Sequence, residues 1–410
     1  MRSAVNNPFN PGSDIVPAVW AGRTVQLSDW RNVVRPRLAR GLPERGRTIL
    51  GEPGLGKSAL VRKIATEAAA CGDWVTSQVR VPLGSDPLKL VADALLTLAH
   101  VAGLPARREK RLKDLLGRVE SIAASGVSLA LREGDGPDPH VVLTDLLIEI
   151  GRAAMKEEAV CLIHIDEVQN ITDERALSQL LIALGDAITH RLIVTAPGDV
   201  RIEASLPIAV YLTGLPEFED RAGAHKGATF ARRFAMTVLE AIDDDDLTLA
   251  LQEFVTPGWV IADDRGGVAS IRMTQEAVAA LVDLCRGEPF LFQVAGQQAW
   301  YAGDDALITA DQVTAGWEVA QREAAAHVER ILGRLPHRER DFLEAMAQLP
   351  PTDRTLTRIA DLAGFPAAAA AGPTSQRLDT VRGIIGRGKP YSFRHRAVEA
   401  YLTSDWPTLT

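Results

Sequence analysis

The sequence predicts an α/β fold in which a parallel β-sheet core is followed by a helical domain and a small C-terminal domain. Two apolar runs support the sheet. Residues 47–50 lead into a glycine-rich turn at 51–58, and residues 58–70 then carry apolar side chains at helical spacing. Residues 160–165 are almost continuously apolar, as buried parallel strands are, and end in an acidic pair. A chain of 410 residues exceeds one ordinary core, so we expect two or three domains.

The turn at residues 51–58 fits the phosphate-binding pattern Gly-x4-Gly-Lys-Ser/Thr without substitution. Glycines let successive backbone N–H groups turn toward phosphate oxygens, and the following helix adds its positive end. Lys57 is expected to neutralise the β- and γ-phosphates of a nucleoside triphosphate, and Ser58 to ligate Mg²⁺. The alternative is a glycine-rich turn that binds nothing. The predicted contact residues are Gly51, Glu52, Pro53, Gly54, Leu55, Gly56, Lys57, Ser58 and Ala59.

The acidic pair after the second apolar run supplies what hydrolysis needs besides phosphate binding. Ligands of open α/β sheets lie at the carboxyl ends of the strands, where Asp166 and Glu167 fall. Asp166 is expected to hold the water shell of the metal, and Glu167 to orient or deprotonate the attacking water. A solvated acidic pair is the alternative. His164 interrupts the apolar run and is predicted to be a core or pocket-filling histidine.

With these motifs, the chain resembles the AAA+ ATPases, particularly origin-recognition-type initiators and related bacterial ATPases. In those proteins a P-loop nucleotide domain, which carries the Walker A and Walker B motifs, precedes a helical lid and a winged helix. The resemblance covers most of the chain and implies ATP with Mg²⁺, ATP hydrolysis and ATP-dependent homo-oligomers. It also implies a polar residue at the tip of the strand after Asp166. Thr213 is preferred for this role, and Thr195 is the competing candidate.

The same resemblance implies an arginine finger that reaches the γ-phosphate of a neighbouring subunit. Arg232 and Arg233 occupy the corresponding place. Such an arginine contributes about 10³ to 10⁵ in rate where it operates. An ordinary surface pair is the alternative, because arginine is commonly exposed.

The lid departs from the initiator pattern. The element containing Gly287 and Pro289 resembles the Gly-x-Pro element of STAND-type signalling ATPases, whose proline packs near adenine. This second resemblance implies a slower ATP/ADP switch whose winged helix docks a protein. Gly22 and Arg23 resemble the segment that covers the base in that group, with a turn before a helix as the alternative.

The predicted organisation has four parts. Residues 1–18 form an extended arm, and residues 19–240 form the AAA+ core with a helical insertion at about 84–137. A helical lid follows at 241–329, and a winged helix at 330–410. Basic residues at 107–113 in the insertion are taken as a solvated helix face, with phosphate contact as the alternative. Asp243–Asp246 are predicted to begin a helix rather than bind a metal.

Within the C-terminal segment, residues 339–347, 356–363 and 374–385 are predicted helices, followed by a turn with a short strand. The third helix would face the DNA major groove, and the wing would contact phosphates. Because winged helices also dock proteins, contact with double-stranded DNA and with an unidentified protein both stay open. The candidate DNA contacts are Gln376, Arg377, Thr380, Arg382, Arg387, Lys389, Arg394 and Arg396.

Composition narrows the remaining possibilities. The net charge of −8 argues against a protein that coats nucleic acid with its whole surface, although the segment after residue 330 is basic. The three cysteines lie far apart without Cys-x2-Cys spacing or nearby histidines, so neither a disulfide framework nor a zinc site is indicated, and we expect reduced thiols. The sequence lacks a signal peptide and an apolar stretch of membrane-spanning length. We therefore expect a cytoplasmic, nucleotide-dependent assembly switch without a membrane partner.

Overall fold

The computed structural model describes residues 2–12, 15–102, 138–196, 199–219, 232–262 and 267–409. The predicted basic face at residues 107–113 lies outside these ranges. The chain divides into two compact units, which we call the sheet unit and the lid unit. The sheet unit comprises residues 24–50 and 60–237, and the lid unit comprises residues 1–23, 51–59 and 238–410.

A six-stranded sheet forms the centre of the sheet unit. Strands β1, β2, β3, β4 and β7 make parallel pairs, as the apolar runs predict. In space the order is β2, β4, β7, β1, β8, with β3 also paired to β4. The strands are β1 (Gly46–Leu50), β2 (Trp74–Val75), β3 (Val79–Arg80), β4 (Cys161–Asp166), β7 (Ile208–Gly214) and β8 (Phe234–Val238).

Helices cover this sheet. Every residue of β4 and β7 is buried, as expected for strands with helices on both faces. Aspartates cap two of these helices, since the side chains of Asp86 and Asp173 accept from first-turn amides. The helices are α1 (Thr24–Asp29), α2 (Arg35–Ala39), α3 (Lys57–Ala70), α4 (Pro87–Val101), α5 (Pro139–Lys156) and α6 (Glu174–Thr189), with a π-helical turn, Trp30–Val34, between α1 and α2.

Residues 191–196 and 200–205 form the two strands of a separate antiparallel hairpin. Its strands, β5 (Arg191–Ala196) and β6 (Val200–Ser205), pair with each other in a two-stranded sheet of their own. Thr195 is exposed on this hairpin, so it does not lie at the tip of a central strand. Thr213 lies on β7, a strand of the central sheet that pairs with β4.

The lid unit begins with the arm. Phe9 stacks on Phe254 with ring centroids 5.5 Å apart and meets the edge of Phe292 at 6.0 Å. Gly296 permits this approach, because a Cβ there would lie 2.2 Å from the Phe9 ring. The arm is therefore part of the lid core. The lid elements are α7 (Asp244–Val255), β9 (Trp259–Ala262), β10 (Val268–Met273), α8 (Gln275–Cys285), α9 (Pro289–Tyr301), β11 (Leu307–Ile308) and α10 (Ala310–Gly333).

The aspartates at residues 243–246 begin α7, as predicted. The side chain of Asp243 accepts from the backbone N–H of Asp246 at 2.8 Å, and the next three acidic residues fill the first turn. Among the residues that the structure describes, no group of three or more side chains is arranged to hold a metal ion.

Three helices, a two-stranded wing and a last helix make up the C-terminal domain. Its third helix begins at Ala368, six residues before the predicted start at residue 374, and so includes an alanine-rich stretch. Alanine has the highest helix propensity, which outweighs the low helix propensity of Gly372 and Pro373. The elements are α11 (His337–Ala347), α12 (Leu356–Leu362), α13 (Ala368–Gln376) with a π-helical turn (Arg377–Val381), β12 (Ile385–Gly386), β13 (Ser392–Phe393) and α14 (Arg396–Thr403).

No helix in the described ranges combines the length and the apolar character needed to cross a bilayer. All three cysteines are free, as expected. Burial raises the pKa of Cys161 to about 12 and that of Cys285 to about 12, so both are inert thiols.

Candidate nucleotide site

The phosphate loop joins the end of β1 at Leu50 to the start of α3 at Lys57. Gly54 and Gly56 adopt φ values of 86° and 77°, a left-handed conformation that side chains disfavour. Gly54 also lies close to the lid, because a Cβ there would come 2.3 Å from Cε1 of His327. Lys57 Nζ donates to the carbonyl oxygens of Gly51 and Glu52 at 2.9 and 3.0 Å, which holds the ammonium at the loop.

The Gly-x-Pro element of the lid contacts this loop directly. The backbone N–H of Phe290 donates to the carbonyl of Gly54 at 3.1 Å. Pro289 opens α9, and its Cβ would be 3.8 Å from a Cβ placed on Gly56. The resemblance implied that Pro289 packs near adenine. The structure places it beside the phosphate loop.

The segment before α1 holds the loop from another side. Arg23 donates to the carbonyl of Leu55 at 2.9 Å and to that of Glu240 at 2.8 Å. Burial lowers the pKa of Arg23 to about 10, which leaves the guanidinium charged at neutral pH. Gly22 packs against Ile242, because a Cβ would lie 2.9 Å from its Cγ2. Arg23 therefore holds the phosphate loop, whereas Gly22 packs against Ile242 of the same unit.

A buried carboxylate of the phosphate loop forms ion pairs that no sequence motif indicates. The carboxylate of Glu52 has no exposed surface and lies 2.7 Å from Arg334 Nη2 and 4.0 Å from Arg382 Nη1. Buried charges are stable only when they are paired. The side chain of Glu52 therefore connects the loop to Arg334 and Arg382, which follow α10 in the chain. The backbone of Glu52 is then the part of this residue that could contact a phosphate.

Asp166 is held by three donors at the carboxyl end of β4. Its Oδ1 accepts from Thr213 Oγ1 at 2.5 Å and from the backbone N–H of Glu167 at 2.9 Å, and its Oδ2 accepts from Gln78 Nε2 at 2.6 Å. These bonds compensate for the burial of Asp166, which is 2% exposed. His164 is buried as predicted, and its Nε2 lies 3.0 Å from Thr213 Oγ1.

Glu167 has an unusual backbone. Its φ of 60° places a non-glycine residue in the left-handed region, a conformation often found at functional sites. Its Oε2 accepts from the side-chain amide of Gln169, a residue that the sequence analysis did not select. The two-residue spacing between Glu167 and Gln169 matches no known motif, so the sequence does not indicate this contact.

The two candidate finger arginines differ in their surroundings. Arg233 forms an ion pair with Asp186 and packs on α6, where a Cβ on Gly185 would lie 2.7 Å from Arg233 Cδ. Arg232 is exposed, and within the described residues it has no ion pair. The two arginines therefore differ in that Arg233 is engaged by a carboxylate of the described residues and Arg232 is exposed.

Half of the candidate DNA contacts are engaged within the lid unit. Arg382 is 5% exposed and, like Arg377, lies 3.0 Å from the buried carboxylate of Glu339. This arrangement contradicts the prediction that Arg382 faces DNA, because the buried Glu339 draws it inward. Arg394 pairs with Asp379 at 2.6 Å, and Arg396 pairs with Asp244 at 2.7 Å. The exposed candidates without such a pair in the described residues are Gln376, Thr380, Arg387 and Lys389.

A second buried acidic group joins the lid to the C-terminal domain. Glu288, at the N-cap of α9, lies 3.2 Å from His395 Nε2 and 3.6 Å from His327 Nε2. Burial by itself raises the pKa of Glu288, but charge on His395, His327 and Arg23 outweighs burial, so the pKa lies below its ordinary value.

The residues present fit a magnesium nucleotide. The loop carries glycines in the required left-handed conformation and a lysine held at its backbone. Ser58, in the first turn of α3, and Asp166, the last residue of β4, each carry a side-chain oxygen of the kind that Mg²⁺ prefers. Mg²⁺ commonly keeps several waters and uses one or two protein ligands with substrate phosphates, so a larger cluster of acidic ligands is not required.

Comparison with known proteins supports the fold. No family model matches the chain, and no curated protein matches it. Among solved structures, a Walker-type ATPase of Pyrococcus abyssi superimposes with a TM-score of 0.51 at 17% identity, covering 90% of this chain and 95% of that chain. The ORC2 protein of Aeropyrum pernix, solved as ADPNP–ADP complexes, gives a TM-score of 0.50 at 15% identity, covering 96% and 95%. The chain has the fold of the AAA+ ATPases, with a parallel-sheet core, a helical lid and a C-terminal winged helix.

Proposed function

We propose that the protein is a nucleotide-dependent ATPase that binds magnesium ATP at residues 51–59 and acts as an assembly switch. One observation carries the proposal. The register of the sheet aligns Leu50 of β1 with Gly214, and Ile165 of β4 with Leu212, so β1 and β4 end at the same edge. The phosphate loop follows Leu50 and the acidic pair follows Ile165, which is the arrangement that ATP hydrolysis needs.

Each residue then has a chemical role. Lys57 and the loop amides bind the β- and γ-phosphates, while Ser58 and Asp166 hold the metal and its water shell. Mg²⁺, when bound, neutralises charge on the transferred phosphoryl group. Glu167 orients or deprotonates the attacking water, and Thr213 fixes Asp166 through the hydrogen bond described above. Arg232 is the proposed finger, because Arg233 is paired with Asp186.

Binding and hydrolysis are tested separately. Titration with a fluorescent ATP analogue measures the dissociation constant, and phosphate release measures turnover. Lys57→Ala is expected to lose binding by at least about 100-fold, because the lysine contacts the phosphates through charge-assisted bonds. Lys63, six residues further along α3, offers a control in Lys63→Ala, which is expected to keep wild-type affinity. Equal affinity of the Lys57→Ala variant and the wild type would contradict the proposal.

We further propose that the winged helix contacts DNA through its exposed polar residues once it separates from the rest of the lid unit. Gln376 and Thr380 lie on its third helix and in the turn that extends it, and Arg387 and Lys389 lie in the wing. Differential binding of ATP to the separated state would couple nucleotide to DNA. The measurement is a filter-binding salt titration in the presence of ATP and of ADP. Affinity for DNA that is independent of salt would rule out phosphate contact.

A second function is favoured by a specific observation. Arg382, Arg394 and Arg396 are engaged by carboxylates of their own unit, and Pro289 lies beside the loop. Such a closed arrangement suits a STAND-like regulatory or defence ATPase whose winged helix docks a protein. Size exclusion with ATP, with ADP and without nucleotide separates the two. A monomer in all three states that lacks DNA affinity would favour the regulatory ATPase.

A further inference from the structure

We infer that Gln169 is a positioning residue that fixes the carboxylate of Glu167 to the end of β7. The inference rests on the proposed function, because it concerns the group that is proposed to activate water. It adds a residue to which neither the sequence motifs nor the resemblance assign a role.

The side-chain amide of Gln169 bridges two parts of the sheet unit. Gln169 lies in the 3₁₀ turn Val168–Asn170, directly after Glu167. Its Nε2 donates to Glu167 Oε2, and its Oε1 accepts from the backbone N–H of Leu215 at 3.0 Å. Leu215 follows the last residue of β7. Both ends of the amide are therefore used, one on the acidic group and one on the neighbouring strand.

Gly214 makes this bridge possible. A Cβ at residue 214 would lie 2.8 Å from Gln169 Oε1 and 2.8 Å from Cγ2 of Val168, closer than real Cβ contacts. The backbone at the end of β7 thus approaches the turn that carries Gln169. Since the preceding residue, Thr213, bonds to Asp166, the bridge places Glu167 and Asp166 in one hydrogen-bonded frame anchored on β7.

The backbone of Glu167 explains why a bridge is useful. Its left-handed φ of 60° is held by the bond from its own N–H to Asp166 Oδ1. That bond fixes the backbone but leaves the side chain free to rotate about its χ angles. Gln169 removes this freedom by holding the carboxylate. Loss of the bridge would let the carboxylate sample several rotamers, which lowers the fraction of time spent in any one geometry by about ten-fold.

Two substitutions test the two hydrogen bonds of Gln169 individually. Gln169→Met keeps the length of the side chain and removes both hydrogen bonds. Gln169→Glu keeps the acceptor for Leu215 but replaces the donor to Glu167 with a carboxylate. Both variants are expected to lower kcat by about ten-fold while KM and nucleotide affinity stay within about two-fold, because binding uses other groups. Gln179→Met, on α6, is the matched control and is expected to turn over at the wild-type rate.

A double-mutant cycle shows whether Gln169 acts through Glu167. In a Glu167→Gln background, Gln169→Met is expected to cause no further loss of turnover, because the group that it positions has already been replaced. A merely structural role would lower the residual turnover again.

Amide hydrogen exchange tests the bridge without nucleotide. The N–H of Leu215 is expected to exchange at least about ten-fold faster in Gln169→Met than in wild type, and to stay protected in Gln169→Glu. A wild-type protein without turnover would overturn the proposed function. Wild-type turnover that Gln169→Met leaves unchanged, or unchanged exchange at Leu215, would overturn this inference alone.

Discussion

Arg382 gives a sharp test of the structure, because sequence and structure assign it different roles. The sequence predicts a DNA contact, in which case substitution would weaken DNA binding and leave stability unchanged. The structure buries Arg382 against Glu339, which is 3% exposed, at 3.0 Å. Arg382→Met keeps the apolar part of the side chain and removes the charge.

The size of the effect follows from the surroundings. Removing one partner of a buried ion pair costs about 3 to 5 kcal/mol because the other charge is left uncompensated. Glu339 keeps a second partner, Arg377, but that side chain is 38% exposed and is screened by water. We therefore expect Arg382→Met to lower the free energy of unfolding by about 2 to 3 kcal/mol. For a unit of about 200 residues this corresponds to a fall of roughly 4 to 12 °C in the unfolding temperature.

Differential scanning fluorimetry measures this shift. Arg387→Met is the matched control, because it removes the same charge from an exposed position in the wing. Exposed substitutions of this kind usually change stability by less than about 0.5 kcal/mol. Equal unfolding temperatures for the Arg382→Met and Arg387→Met variants would refute the reasoning.

Three further predictions concern acid stability, turnover and DNA. The pKa of Glu288 lies below its ordinary value of 4.5, so its ionised form stabilises the fold above that pH, and the contribution is lost as pH falls through the folded pKa. The difference in unfolding free energy between wild type and Glu288→Gln, measured by urea titration, should therefore decrease below pH 4.5. A difference that is independent of pH would contradict this prediction. Thr213→Val is expected to lower turnover by about 10- to 100-fold, since a bond to a charged group contributes about 1.5 to 3 kcal/mol, whereas Thr195→Val on the exposed hairpin should match wild type in phosphate release. For DNA, replacing Arg387 or Lys389 with alanine should each reduce the salt slope of binding by about 0.9, and unchanged slopes would remove the wing from the interface.

Local signals in the sequence predict the parts of the site that depend on short segments. Residues 51–58 and the strand ending at Asp166 are recognisable because glycine geometry and apolar burial leave patterns within a few residues. The hairpin formed by β5 and β6 is different. The sequence of β5 resembles that of a central strand, and only its pairing with β6 shows that it lies outside the central sheet.

Long-range contacts leave no such pattern. Glu52 and Arg334 are separated by 282 positions in the chain, and nothing near either residue indicates the other. The burial of Glu339, which turns Arg382 inward, likewise depends on helix packing. The bridge through Gln169 depends on the approach of β7, which a single glycine at residue 214 permits.

The nucleotide retained by the protein after incubation with magnesium ATP tests the central claim most directly. After rapid desalting and chromatography of the bound fraction, the account predicts ADP on the wild type and ATP on Glu167→Gln, because binding depends on the loop and turnover depends on Glu167. Lys57→Ala should carry neither nucleotide. ADP on Glu167→Gln in the wild-type amount, or no nucleotide on the wild type, would contradict it.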